Sequence, residues 1–388
     1  MKEIYLDNSA TTRICEEALD RYIAVSRECY GNPSSLHTLG WNAERLLSEA
    51  RREVLSSLGT REGDVIFTAS GSEANNLAII GRAIAKERFK GGKIITTAGE
   101  HASVGEPLAR LRAMGFRTVE IPTAGGRLDM DALAAELSRD VILVTMMMVN
   151  NETGALYDTA SVAKLMRNKC PDALLHVDAT QSYMKLPFTL SSSGADMITL
   201  SSHKIEGPKG VGALVLDKRV LKSKALSPLT LGGGQESGMR SGTENVPGIA
   251  AFGEAVRIGR LAVRERYGKM SDLREYLLEK LKSSNPLSEI SVTSPKKHAP
   301  HIVNITLPKI KSETMLHHLS SYGVYVSSGS ACSSNSGHVS SALVAYGRSE
   351  AEADCSLRIS LSHRNTHEDI DGLIEALTAG LSKLSRIR

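Results

Sequence analysis

Val65-Ile66-Phe67-Thr68-Ala69-Ser70-Gly71-Ser72-Glu73-Ala74-Asn75-Asn76 begins as an apolar strand, turns on small residues and continues as the start of a helix. A strand handed to a helix through so short a turn is the repeating unit of a sheet covered by helices. Upstream, apolar residues at helical spacing run from Trp41 to Leu58 and stop at Gly59; downstream, the helix runs from Ser72 to about Phe89. The unit then recurs: strand Lys93 to Thr97, helix Ser103 to Met114, strand Arg117 to Ile121, helix Asp129 to Leu137, strand Val141 to Thr145, helix Thr159 to Asn168 and strand Leu174 to Val177. Such alternation predicts an α/β fold with a mainly parallel sheet. Too few residues separate strand Met197 to Leu200 from strand Gly212 to Leu216 for a crossover helix, so at least one of the two is expected to run antiparallel.

A long helical pattern from Val246 to Leu281 follows, and after Asn285 strand-like stretches such as Ile302 to Leu307 alternate with helices. At 388 residues the chain exceeds what one core fills, and this second pattern predicts a smaller α+β domain. The expected division gives residues 15–258 to a large domain and residues 1–14 with 259–388 to a small one. Ser327 to Ser341 is rich in Ser and Gly around a single cysteine, Cys332, a composition suited to a mobile loop.

A hydrophobic fraction of 41%, a charged fraction of 23% and a net charge of +4 describe an ordinary globular chain. No run of about 18 apolar residues is present to span a bilayer, so no membrane association is expected. Lys and Arg are scattered, so nucleic acid is not an expected partner. Ile4-Tyr5-Leu6-Asp7 reads as a strand with no leader before it, and a cytoplasmic location is expected. Cys15, Cys29, Cys170, Cys332 and Cys355 are odd in number and contain no CxxC pair, which predicts reduced thiols and no zinc site.

Three segments carry chemistry. Lys204, in Ser201-Ser202-His203-Lys204 and before Gly207-Pro208-Lys209-Gly210, is a candidate Schiff-base lysine, with His203 as a candidate cationic neighbour that favours its neutral amine. By itself a lysine after a strand is more often a solvated surface residue. The strand Leu174-Leu175-His176-Val177 delivers Asp178 at its carboxyl end, where ligands bind in open α/β sheets. Asp178 suits a pyridinium nitrogen, and equally suits a cap on the next helix. In the opening stretch, backbone N–H groups and Ser72 can cradle a phosphate, or Ser70 or Ser72 simply caps the helix with Glu73 behind it. His101 also ends a strand, and reads either as a stacking proton carrier or as a surface histidine.

Taken together with Tyr5-Leu6-Asp7-Asn8-Ser9-Ala10-Thr11-Thr12, Gly31-Asn32-Pro33-Ser34-Ser35, Val149-Asn150-Asn151-Glu152-Thr153-Gly154, Gly232-Gly233-Gly234-Gln235-Glu236, Arg240-Ser241-Gly242-Thr243-Glu244-Asn245 and Ser327-Ser328-Gly329-Ser330-Ala331-Cys332, these segments resemble the cysteine desulfurases of the NifS/IscS type. That group lies among the class V aminotransferases of fold-type I pyridoxal-phosphate (PLP) enzymes. The likeness runs along nearly the whole chain. It implies a large domain with a mainly parallel seven-stranded sheet flanked by helices, plus the smaller α+β domain carrying the Cys332 loop.

The resemblance also implies roles. Lys204 would hold PLP covalently, Asp178 would meet the ring nitrogen, and His101 would stack on the ring and move protons. Gln181 and Asn151 would sit near the ring hydroxyl and substrate, and Gly71, Ser72, Ser201 and His203 would hold the phosphate. Thr243 would reach the phosphate of the partner subunit's cofactor, which requires a homodimer. Arg358 would grip the carboxylate of L-cysteine, with Asn151 beside it. Cys332 would accept sulfur as a persulfide, leave alanine, and pass the sulfur to an iron–sulfur scaffold protein or another acceptor. No resident metal is implied, Cys332 being at most a transient ligand of a cluster during transfer. Leu231, Ser237, Ser202, Glu206 and Ser362 depart from the usual pattern. Selenocysteine lysis, another class V PLP reaction and a non-catalytic scaffold are the alternatives, and the joint presence of Lys204, Asp178, His101, Arg358 and Cys332 argues against the last.

Overall fold

Six of the seven strands in the large sheet bury nearly every residue they contain, as their apolar runs dictate, and the edge strand Arg117–Ile121 buries only Ile121. In chain order the elements are β1 (Ile4–Tyr5), α1 (Glu16–Glu28), α2 (Thr38–Ser57), β2 (Asp64–Thr68), α3 (Gly71–Ala85), β3 (Lys93–Thr97), α4 (Ala102–Ala113), β4 (Arg117–Ile121), α5 (Met130–Glu136), β5 (Val141–Met147), α6 (Thr159–Lys169), β6 (Leu174–Asp178), α7 (Leu190–Ser193), β7 (Met197–Ser201), β8 (Gly212–Leu216) and α8 (Lys218–Ser223). There follow α9 (Val246–Lys282), β9 (Ser291–Thr293), β10 (Ile302–Thr306), α10 (Ser312–Ser321), β11 (Val324–Tyr325), β12 (Ser327–Ser328), α11 (Ser341–Tyr346), α12 (Glu350–Asp354), β13 (Ser356–Ser360) and α13 (His367–Leu384). The computed structural model describes residues 3–86, 92–223, 225–283, 286–293, 295–328 and 339–384. Cys332 lies outside the described residues.

The large sheet has the order β2-β8-β7-β6-β5-β3-β4. The pairs β3/β4, β3/β5, β5/β6 and β6/β7 are parallel, whereas β8 is antiparallel to both β7 and β2. The antiparallel strand expected from the short connection is therefore β8. Two antiparallel steps return β2 to the direction of β7, so its carboxyl end opens on the same edge as those of β5, β6 and β7. Alternate residues feed two cores: Val65, Phe67, Leu175 and Val177 face one, and Ile66, Leu174 and Leu214 face the other. A sheet covered on both faces needs this near-continuous apolar sequence.

The second core gathers Leu273, Leu277, Val303, Ile305, Leu357, Ile359, Leu373 and Leu377 around the antiparallel sheet β12-β13-β10-β9, and takes in Ile4 and Leu6 from the amino terminus. Helix α9 spans both cores. Its first half buries Val246, Ala251, Phe252 and Val256, and its second half buries Met270, Leu273 and Leu277. Phe252 meets Phe67 of β2 edge to face at 6.4 Å, a contact worth about 0.5–1.5 kcal/mol beyond its buried area. The helices begin where caps place them rather than where apolar periodicity starts. His37 caps α2 ahead of Trp41, and His101 caps α4 after β3 has already ended at Thr97, so His101 opens a helix instead of ending a strand.

Candidate active site

The carboxyl ends of β5, β6 and β7 and the start of α3 enclose a cavity of about 330 Å³, closed on its far side by Arg358 from β13. Lys204, Asp178, His101, Gly71, Ser72, Ser201, His203, Gln181, Asn151 and Arg358 all line it. Of the described residues expected in the site, Thr243 alone lies elsewhere: it is exposed and lines a separate cavity of about 140 Å³ with Glu236, Arg240 and Glu244.

The Lys204 turn is fixed by the amino-terminal segment. Lys204 Nζ donates to the carbonyls of Ser9 at 2.5 Å and Ala10 at 2.7 Å. Thr12 donates through both N and Oγ1 to His203 O at 2.9 Å, and Glu206 N donates to Thr12 Oγ1 at 2.8 Å. His203 is not the cationic neighbour expected. Burial first, then Lys204, Lys209 and Lys185, push it down to about 4, so it is neutral at physiological pH.

Asp178 is buried at the end of β6, and its two oxygens have different work. Oδ1 accepts from Thr180 N at 2.9 Å, the local turn contact, while Oδ2 accepts from Asn75 Nδ2 at 2.8 Å. No helix follows β6 before α7, so the helix cap expected of Asp178 is a turn contact instead. Asn75 Nδ2 also reaches Ser103 Oγ at 2.8 Å, and Ser103 Oγ lies 2.8 Å from His101 Nδ1. Ser103 N donates to the same Nδ1, which makes Nδ1 an acceptor and leaves the ring proton of neutral His101 on Nε2. Burial, with Lys204 and Arg358, lowers the His101 pKa against the pull of Asp178. Beneath, His176 is wedged between Thr145 and Thr199 and burial pushes it down to about 4.

Before His101, Glu100 is partly exposed as a residue but its carboxyl points inward, and that burial pushes it up to about 8. Its Oε1 accepts from Met147 N at 2.8 Å and from Thr97, and Oε2 has no partner among the described residues. Arg358 uses Nη1 on Asn151 O at 3.0 Å and Nη2 on Asp7 Oδ1 and Ser327 Oγ at 3.1 Å each, while its buried Nε is unsatisfied among the described residues. A planar guanidinium with an unmet donor is ready for a carboxylate.

The residues fit PLP. A Cβ on Gly71 would stand 3.2 Å from Ser201 Cβ and 3.3 Å from Thr180 Oγ1, so the α3 amino terminus keeps an open cradle only as glycine. A Cβ on Gly212 would fall 2.3 Å from the Ser70 backbone, so β8 must also be bare there. The unbonded N–H groups of a helix start, with Ser72, Ser201 and His203 around them, form an anion site. Asp178 is placed for a ring nitrogen and Lys204 for a carbonyl carbon. Motif reading missed Asn75, Ser103 and Ser9. Asn75 and Ser103 follow Gly71 and His101 within the first helical turns, and only that spacing could have singled them out.

The family model described as Aminotransferase class-V matches residues 4–373. The chain is 36% identical over 385 residues to the protein named Cysteine desulfurase of Trichormus azollae, covering 99% of this chain and 94% of that protein. A solved structure named NIFS-LIKE PROTEIN superposes with a TM-score of 0.90 at 33% identity, covering 98% of this chain and all of the other. The structure described as SspA in complex with cysteine superposes with a TM-score of 0.79 at 30% identity, covering 94% of this chain.

Proposed function

The chain belongs to the aminotransferase class-V family, among its cysteine desulfurases, and we propose that it removes sulfur from free L-cysteine, leaving L-alanine and a persulfide on Cys332. The observation that carries this reading is the convergence of Lys204, Asp178, His101 and Arg358 on one cavity, although they come from four separate parts of the chain. A related solved protein that holds cysteine supports the substrate.

PLP, when bound, supplies an electron sink that stabilises negative charge at the substrate Cα. Lys204 holds it through Nζ, Asp178 at the ring nitrogen and His101 against the ring. Gln181 and Asn151 sit toward the ring hydroxyl, and Gly71, Ser72, Ser201 and His203 hold the phosphate. The protein's own groups do the rest. Arg358 exchanges one of its present acceptors, Asp7, Ser327 or the Asn151 carbonyl, for the substrate carboxylate and so fixes the amino acid. Lys204 Nζ carries the proton that leaves Cα, and His101 Nε2 donates from the ring face. The Cys332 thiolate attacks the substrate sulfur: an S–S bond forms, the Cβ–S bond breaks, and its electron pair stays on carbon to be protonated. Atoms balance, since cysteine and a thiol give alanine and a persulfide.

Thr243, exposed, would reach the cofactor phosphate of a second subunit, and exposed Tyr30, Leu36, Trp41 and Leu231 are apolar surface that a homodimer would cover. The division proposed at residue 258 lies next to Gly259, the last residue α9 buries before Met270. An iron–sulfur scaffold or other sulfur acceptor takes the persulfide, in the cytoplasm; no helix among the described residues is long and apolar enough to cross a membrane.

The test is incubation of PLP-loaded protein with L-cysteine and a thiol reductant, with alanine and sulfide measured together. Equal amounts, lost in Cys332→Ala and Lys204→Ala, are expected. Undiminished products from Cys332→Ala would overturn the persulfide route, and selenocysteine as the only productive substrate would move the enzyme to lysis of that amino acid.

A further inference from the structure

A second lysine lies behind the cavity wall, and the reaction gives it no part. Lys185 is 7% exposed, and among the described residues its amine makes one hydrogen bond, from Nζ to Gln181 Oε1 at 3.3 Å. Among the described residues no carboxylate lies within salt-bridge distance of it. An unpaired buried ammonium is costly, so its position needs a reason. The groups facing it are Lys204, Arg358, Glu206, His203 and the fully buried His301, and Arg266 and His363 line the same small cavity. Burial, then Lys204 and Arg358, push Lys185 down to about 7, with Glu206 acting in the opposite sense. It therefore carries its charge on the acid side of neutrality.

The reason is at the other end of Gln181. That side chain lines the cavity, and its Nε2 donates to Ser9 O at 2.9 Å, the same carbonyl that accepts from Lys204 Nζ. A carboxamide can face either way, and its neighbours decide which. The Lys185 ammonium has donors only, and the Ser9 carbonyl accepts only. If the amide turned over, its NH2 would meet the ammonium and its oxygen would meet a carbonyl, two repulsive contacts in place of two attractive ones. With the amide held, NH2 stays at the cavity end. One hydrogen serves Ser9, and the second is a donor left for a ligand oxygen.

We propose that Lys185 is a positioning residue that locks the Gln181 carboxamide with its NH2 toward the cavity, giving the site a donor for the anionic ring oxygen of the cofactor. This rests on the PLP reading above. Lys185 touches neither cofactor nor substrate, so its whole effect on binding passes through Gln181.

The experiment is a double-mutant cycle on cofactor-stripped protein, with PLP affinity read from its absorbance on the acid side of the Lys185 titration and folding followed by thermal melting. Lys185→Met is expected to weaken PLP binding about 10- to 100-fold, the scale of one charge-assisted hydrogen bond. In a Gln181→Leu background the same change should cost nothing further. An equal loss in both backgrounds, or no loss in either, overturns the proposal. If Lys185→Met does not fold, Lys185→Gln, which keeps a donor, takes its place; near wild-type affinity supports the lock, and a loss as large as that of Gln181→Leu refutes it. Failure of the wild-type protein to bind PLP at all would remove the PLP reading itself, an outcome distinct from the others.

Discussion

The two sides of the Lys204 turn are built in opposite ways. Facing the cavity, desolvation sets the titratable groups: it pushes His203 and His101 down and Glu100 up to about 8, while Lys204 donates to two carbonyls and Arg358 pairs with Asp7. Behind the turn, Glu206 is 6% exposed and fully engaged, with Arg364 Nε at 2.6 Å, Arg266 Nη1 at 3.5 Å and His363 Nε2 at 3.8 Å. Arg266 belongs to α9, and His363 and Arg364 follow β13, so Glu206 ties the Lys204 turn to the small domain's elements. Charges at the back are spent on one another, and those at the front remain for a ligand. The unusual glutamate two places after Lys204 is thus an anchor, with its backbone at φ 67 held by Thr12 and Cys15.

Removing Lys204 breaks the front most completely. Lys204→Ala should abolish turnover by about 10³-fold or more, given that both the covalent hold and the proton carrier are lost; retained alanine formation at one tenth of the wild-type rate would be incompatible with the assignment. Arg358→Lys keeps the charge and removes the fork, so kcat/KM for cysteine should fall about 10- to 100-fold, most of it in KM. An unchanged KM would take Arg358 out of carboxylate binding.

At the back, Glu206→Gln leaves Arg266 and Arg364 facing a neutral amide and should cost about 1–3 kcal/mol of stability, the lower range reflecting the half-exposed Arg364. Denaturant titration measures it, and a shift in cofactor affinity larger than the shift in stability would show that the two sides are not separate. The smallest effect is a pH slope. Glu100 has a folded pKa of about 8 against an ordinary 4.5, so the folded state keeps a proton that the unfolded chain releases in that window. Its contribution is full below 4.5 and is lost as pH rises through about 8. Glu100→Gln imitates the protonated form, and its melting temperature should fall less than that of the wild type between mildly acidic and mildly alkaline buffer. Parallel curves would mean that Glu100 is ionised in the folded protein.

Much of the front was legible because it sits where strands end. Asp178 follows Val177, and Lys204 follows the Leu200 strand, each at the edge to which open sheets direct ligands. The groups that tune these residues were not legible, since each acts across the chain. Asn75 reaches Asp178 over 103 positions and Ser103 over 28, and Lys204 rests on a carbonyl 195 positions away. His203 was expected as a cationic neighbour of Lys204, but burial first, and then Lys204, Lys209 and Lys185, drive off its proton.

The sequence by itself determined the alternation of strands and helices, the antiparallel step at β8, and the order of the chemical groups along the chain, because apolar periodicity and connection length are local properties. Only the tertiary structure decided charge. Nothing local in Met184-Lys185-Leu186 marks Lys185, and Glu206 reads as a departure; folding buries both, leaving one beside an amide and the other among cations. Desolvation and neighbouring charge depend on what lies within a few ångströms in space, and residues far apart in sequence supply it.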